Sequence, residues 1–158
     1  MLENFQNTDI FAIIPVAIAI TILAYFSWKT LNTSNSFQKG VKLYEQKDYQ
    51  GAEAAFRQVI ANNSTNDVVR LLLGDILKAQ GNPKDAIELY QEVIRSSPKN
   101  PDAYLRLADF FMEENQPEPA KTNLEQAIAL LQKQRQPERA KKVRHLLDKI
   151  TAKTGNNI

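Results

Sequence analysis

DVVRLLLGDILKAQGNPKDAIELYQEVIRSSPKN, running from Asp67 to Asn100, is followed in outline by PDAYLRLADFFMEENQPEPAKTNLEQAIALLQKQ, from Pro101 to Gln134. Superposed at an offset of 34, Gly74 falls on Ala108, Leu77 on Phe111, Ala86 on Ala120, Tyr90 on Leu124 and Ile94 on Ile128. The same step backward reaches Gly40, Leu43, Ala52, Phe56 and Ile60. Five columns with one period predict three copies of one supersecondary unit. The residue types say which unit. Within each copy, a small residue in the first apolar stripe and an Ala in the second let two helices approach closely, and large side chains fill the space around them. Gly81-Asn82-Pro83 stops one helix with Gly and opens the next with Pro, as helix punctuation requires. Asn115-Gln116-Pro117 and Lys47-Asp48-Tyr49 stand at the equivalent places. The expected fold is all-α, a solenoid of three helix–turn–helix repeats over residues 37-134.

Downstream of Gln134 the columns fail. Pro137 starts a further helix with Ala140, Val143, Leu146, Leu147 and Ile150 along one face and Lys and Arg elsewhere. This reads as a capping helix over 135-153 that covers the last repeat and shows water a polar face, with a short tail at 154-158.

Upstream, Ile10 to Trp28 reads IFAIIPVAIAITILAYFSW, nineteen residues without a charge. As a helix it reaches about 28 Å, close to the hydrocarbon thickness of a bilayer. Asp9 is the expected N-cap, and Pro15 lies early enough to be tolerated. Tyr25 and Trp28 followed by Lys29 form an interfacial end. A cleaved signal peptide would need a basic stretch before the apolar run, and none is there. All 20 Lys and Arg lie at or beyond Lys29, whereas Glu3 and Asp9 precede it. The positive-inside rule then places the tail 1-9 across the membrane and the repeats on the cytoplasmic side. Residues 29-36, with the polar run TLNTSNS, are expected to be a flexible linker.

The pattern resembles the tetratricopeptide repeat, whose signature is an aromatic, Leu-Gly, Tyr, Ala, a second aromatic and a closing Pro. Asp67–Asn100 carries Leu73-Gly74, Leu77, Ala86, Tyr90 and Pro98, with Arg70 at the first aromatic position. Pro101–Gln134 carries Tyr104, Leu107-Ala108, Phe111, Ala120 and Leu124. The first copy departs at Ser36 and Lys39, as suits a terminal repeat with no preceding neighbour. The resemblance implies a concave groove lined by the first helices, which here means Phe37, Val41 and Tyr44, then Leu71, Asp75 and Lys78, then Leu105, Asp109 and Met112. Leu71 and Leu105 could equally be core between repeats, and Asp75 and Asp109 could be solvated surface. If the acids do face the groove without partners, they favour a basic or amphipathic protein segment. The family's carboxylate clamp for acidic chaperone tails would fall on Phe37, Val41, Leu72, Asp102 and Arg106, and only Arg106 keeps the required type.

From Lys133 onward the chain is basic. Arg139, Lys142 and Lys153 could meet anionic headgroups or an acidic protein, although a solubilising face on a capping helix explains them at least as well. No nucleic-acid-reading motif or aromatic interleaving accompanies them. Cysteine is absent, which removes thiol chemistry and thiolate metal sites. His145, the one histidine, stands among Lys and Arg, and no phosphate loop or nucleophile elbow occurs. Hence no enzyme, no cofactor and no small-molecule substrate are expected. Two functions remain. One is a membrane-tethered scaffold or assembly factor recruiting a partner protein; the other is a small accessory subunit of a larger membrane complex. Architecture alone makes the chain similar to the tetratricopeptide assembly factors of photosystem I, which implies a thylakoid or bacterial inner membrane.

Overall fold

The computed structural model describes residues 8–63 and 65–155, with side chains over 14–63 and 65–153. Most of the expected tail at 1-9 and the end of the tail at 154-158 lie outside the described residues. Among the described residues the chain is all-α, with seven helices. They are α1 (Thr8–Glu45), α2 (Tyr49–Asn62), α3 (Asp67–Ala79), α4 (Pro83–Ser96), α5 (Pro101–Glu113), α6 (Pro117–Lys133) and α7 (Pro137–Gly155). The pairs α1–α2, α3–α4 and α5–α6 form hairpins, each helix also packs on its neighbour in the chain, and α7 packs on α6. The result is a solenoid.

One turn geometry closes all the hairpins. Lys47, Gly81, Asn115 and Arg135 have φ of 60°, 83°, 56° and 57°. In each, the next residue's amide returns to a carbonyl five positions earlier: Asp48 to Leu43, Asn82 to Leu77, Gln116 to Phe111 and Gln136 to Leu131, at 2.8–2.9 Å. That is the Schellman closure of a helix end. The first three turns follow the 34-residue period. The fourth sets α7 against α6 with the same turn although the repeat columns have ended.

The buried core consists of the columns read from the sequence. Ala52, Ala86 and Ala120 are fully buried, as are Phe56 and Tyr90, and Leu124 nearly so. Each of the two aromatic rings lies against the small residue of its own first helix, Gly40 or Gly74. At the end of the array Ala140 of α7 is buried and Leu147 half-buried, while Leu146, expected on the same face, is 36% exposed.

The structure differs from expectation at the linker. Residues 29-36 are not a flexible tether: α1 runs without a break from the apolar run into the first repeat. The physical reason is local. Neither Gly nor Pro interrupts 30–36, and two of its hydroxyls bond back to the helix. Thr30 Oγ1 donates to the Phe26 carbonyl at 2.8 Å and Thr33 Oγ1 to the Lys29 carbonyl at 2.9 Å. Ser36 is buried and donates to Gln58 Oε1 at 3.1 Å, so it already belongs to the solenoid. With helix on both sides, joining the two stretches needs no new nucleation. Asp9, expected as the cap, lies inside the first turn.

Candidate functional site: the groove of the first helices

The first helices α1, α3 and α5 contribute to one face, and a groove of about 620 Å³ opens there, lined by Tyr44, Asp75, Lys78, Leu105, Arg106, Asp109 and Glu113 with Ala79. Sequence periodicity puts Tyr44 and Lys78 at one repeat position and Asp75 and Asp109 at another. The helices bring four further side chains beside them.

Charge pairing inside the groove follows a rule of its own. Arg106 Nε donates to both oxygens of Asp75 at 2.9 Å, and Tyr90 Oη donates to Asp75 Oδ1 at 2.8 Å. Lys78 Nζ meets Asp109 at 2.8 Å and Glu113 at 3.0 Å. Asp75 and Asp109 are therefore not the unpaired acids expected. Asp75 is held between Arg106 and the hydroxyl of a fully buried ring, a structural position. Asp109 and Glu113 share one ammonium, and their side chains are 55% and 56% exposed, so the open side of the groove keeps an excess of carboxylate. Burial pulls the Lys78 ammonium down, but its bonds to Asp109 and Glu113 outweigh this and hold it above the usual lysine value. Burial, and then the Asp75 charge, push the Tyr44 phenol up, so it stays a neutral donor at physiological pH.

The other expected groove residues divide. Leu71 is core, buried with Leu73, Leu77 and Tyr90 between repeats. Phe37 and Val41 are half-buried against the cluster of Phe56, Val59 and Val69, with the Phe37 and Phe56 rings 6.0 Å apart. Leu105 lines the groove. Met112 does not: it faces a separate apolar notch of about 860 Å³ with Pro117, Leu146 and Ile150. Arg139, Lys142 and Lys153 are spread along α7 (Pro137–Gly155). Arg139, at the start of α7, pairs with Asp102 and with Gln136 Oε1, whereas Lys153 is 14 residues on, about 21 Å along the helix, and borders the notch.

Sequence reasoning overlooked Arg106 as a partner of Asp75, although a signal exists. Tyr44, Asp75 and Arg106 are spaced by 31, as are Lys78 and Asp109. That step, three short of the repeat, is the diagonal from one first helix to the next.

The tetratricopeptide repeat family matches the chain over residues 43–89 and 77–150, and the chain belongs to that family. Comparison with curated proteins gives no match. Among solved structures, the chain is similar to the Yersinia enterocolitica type III secretion chaperone SycD in complex with a peptide of the translocator YopD. The TM-score is 0.67 at 20% identity, over 77% of this chain and 93% of that one. PcrH of Pseudomonas aeruginosa, in complex with the chaperone-binding region of PopD, gives a TM-score of 0.67 at 17% identity, over 77% and 92%. The TPR2B domain of yeast Sti1 in its complex with pHsp70 gives 0.69 at 16%, over 78% and 98%. At these identities the likeness is one of fold.

Proposed function

We propose that this chain is a membrane-tethered protein–protein interaction scaffold whose groove takes a basic or amphipathic segment of a partner. The observation that carries the reading is the groove itself, in which Tyr44 of α1, Lys78 of α3 and Leu105, Asp109 and Glu113 of α5 line one open channel. Three of the similar folds were solved with a partner protein or a piece of one, which supports a segment as the ligand. Apolar contact with Tyr44 and Leu105 supplies most of the affinity, and the excess carboxylate sets orientation and on-rate.

The tether is α1. It is the one helix among the described residues long and apolar enough to cross a membrane, and its apolar stretch is wholly uncovered by the rest of the chain. Ile18, Ile22 and Phe26 are all about half exposed or more. That argues against a core helix. Lys29, Lys39, Lys42 and Lys47 follow the span, which favours repeats on the cytoplasmic side of a thylakoid or bacterial inner membrane. Tethering raises local concentration, so a weak groove contact suffices.

The test is capture of membrane proteins by the full chain in mild detergent, read by mass spectrometry, against two variants. Asp109→Asn with Glu113→Gln should lose a basic partner several-fold. Reversing Arg139, Lys142 and Lys153 should retain it. The opposite pattern moves the working surface to α7. A stoichiometric partner retained by both variants points to an accessory subunit.

A further inference from the structure

Because α1 is unbroken, the direction of the solenoid relative to the span is set by the helix itself. α1 leads away from the apolar run, so α2, α4 and α6 return toward it, and the turns that follow these three helices share the edge on that side. Contacts tie this edge together. Ser36 of α1 bonds Gln58 of α2, Ser96 at the end of α4 bonds Asp67 at the start of α3, and Gln134 Nε2 donates to the Lys99 carbonyl at 2.5 Å. Ser36 stands eight residues past Trp28, about 12 Å, and α2 runs four residues beyond Gln58, about 6 Å back. The α2–α3 turn therefore reaches within about 6 Å of the level of Trp28, the depth of lipid headgroups.

The charges on this edge are asymmetric. Its acids Asp67, Glu92 and Asp102 are already engaged by Arg70 or Arg139. Arg95, Lys99, Lys133 and Arg135 are exposed at the ends of α4 and α6 and in the turns after them, beside the exposed Glu138 and the partly exposed, already paired Asp102. On the opposite edge of the repeats the sign changes, and acids such as Glu45, Asp48, Glu114 and Glu118 outnumber the bases.

We infer that Arg95, Lys99, Lys133 and Arg135 form a lipid-facing edge that binds anionic headgroups of the bilayer α1 enters. This rests on the tethered reading of α1. It differs from a basic tail lying on the membrane, since the far half of α7, with Lys149 and Lys153, points away. Each basic side chain near an anionic surface shifts the contact equilibrium by roughly five-fold, so four fix the tilt of the solenoid and the height of its groove.

The absence of cysteine permits a direct test. The full chain, labelled at Gln132→Cys on this edge or at Lys84→Cys on the other, is placed in phosphatidylcholine vesicles with or without phosphatidylglycerol. Energy transfer to a headgroup-labelled lipid is then measured. At position 132 transfer should rise when phosphatidylglycerol is present and fall back in high salt, while position 84 changes little. Arg95→Gln, Lys99→Gln, Lys133→Gln and Arg135→Asn together should abolish the rise without affecting flotation with the vesicles; Asn suits the positive φ at 135. Equal transfer in both lipids, or a rise that survives the four substitutions, overturns the edge while flotation leaves the tether standing. A chain that does not float overturns the tether, and the edge with it.

Discussion

Gly74 occupies a position where even a methyl group has no room: a Cβ there would lie 2.4 Å from Tyr90 Cε1, and one at Gly40 would lie 2.6 Å from Phe56 Cε1. The Tyr90 ring is fully buried and its hydroxyl is bonded to Asp75, so it cannot retreat. The overpacking cost, roughly 1–3 kcal/mol, should exceed the helix propensity Ala gains over Gly. Gly74→Ala is therefore expected to lower the urea midpoint. The third repeat has Ala108 and Leu124 at the equivalent positions, so Tyr90→Leu should relieve part of that loss, giving a positive coupling in a double-mutant cycle. Strict additivity would contradict the contact. Tyr90 also has a pH signature. Burial, then the Asp75 charge, raise its phenol above the ordinary 10.0. Since the folded state holds the proton more tightly, the associated stability is complete below about pH 10 and is lost as pH rises further. Tyr90→Phe should cost about 1 kcal/mol at neutral pH and flatten the fall in urea midpoint above pH 10. An unchanged alkaline limb would mean the phenol is not held this way. These contacts were half legible. The 34-residue columns located Gly74 and Tyr90, but the tie from Asp75 to Arg106 follows the 31-residue diagonal, which a search for the repeat itself passes over.

At the scale of elements, punctuation carried the reading well where it depends on backbone chemistry. Pro83, Pro117 and Pro137 begin helices as read, and the turn before each has one residue at positive φ. It carried poorly where polar composition stood in for a break. TLNTSNS has the residues of a linker, yet Thr30 and Thr33 bond back to their own helix and Ser36 is captured by Gln58. Composition cannot distinguish a hydroxyl bonded to water from one bonded to the preceding turn. If α1 is continuous, the amides of Thr30 to Asn35 should be protected in hydrogen exchange of the detergent-solubilised chain, to a degree similar to Val41. Exchange at the rate of an open chain would restore the flexible tether and leave the solenoid without a fixed orientation.

Considered whole, the molecule joins two parts that share a helix but not a core. Every buried apolar side chain among the described residues lies at Ala52 or beyond, and Phe37, Val41 and Tyr44 pack on that core from the last turns of α1. Nothing between Ile14 and Lys29 contributes to it. Deleting Met1 to Lys29 should therefore leave a helical, cooperatively folding protein with nearly the urea midpoint of the full chain. From Ile14 onward the lost turns of α1 are uncovered by the rest of the chain, and the helix still enters the solenoid at Ser36, six residues after Thr30. The truncated protein should no longer float with neutral vesicles. With anionic vesicles at low salt it should still associate weakly through Arg95, Lys99, Lys133 and Arg135, and about 1 M salt should release it, because the screening length then falls to about 3 Å. Retention in a membrane fraction through that wash would mean a second attachment the charge pattern does not contain, and the single-anchor reading would fail. A collapsed midpoint would mean instead that the span supports the fold.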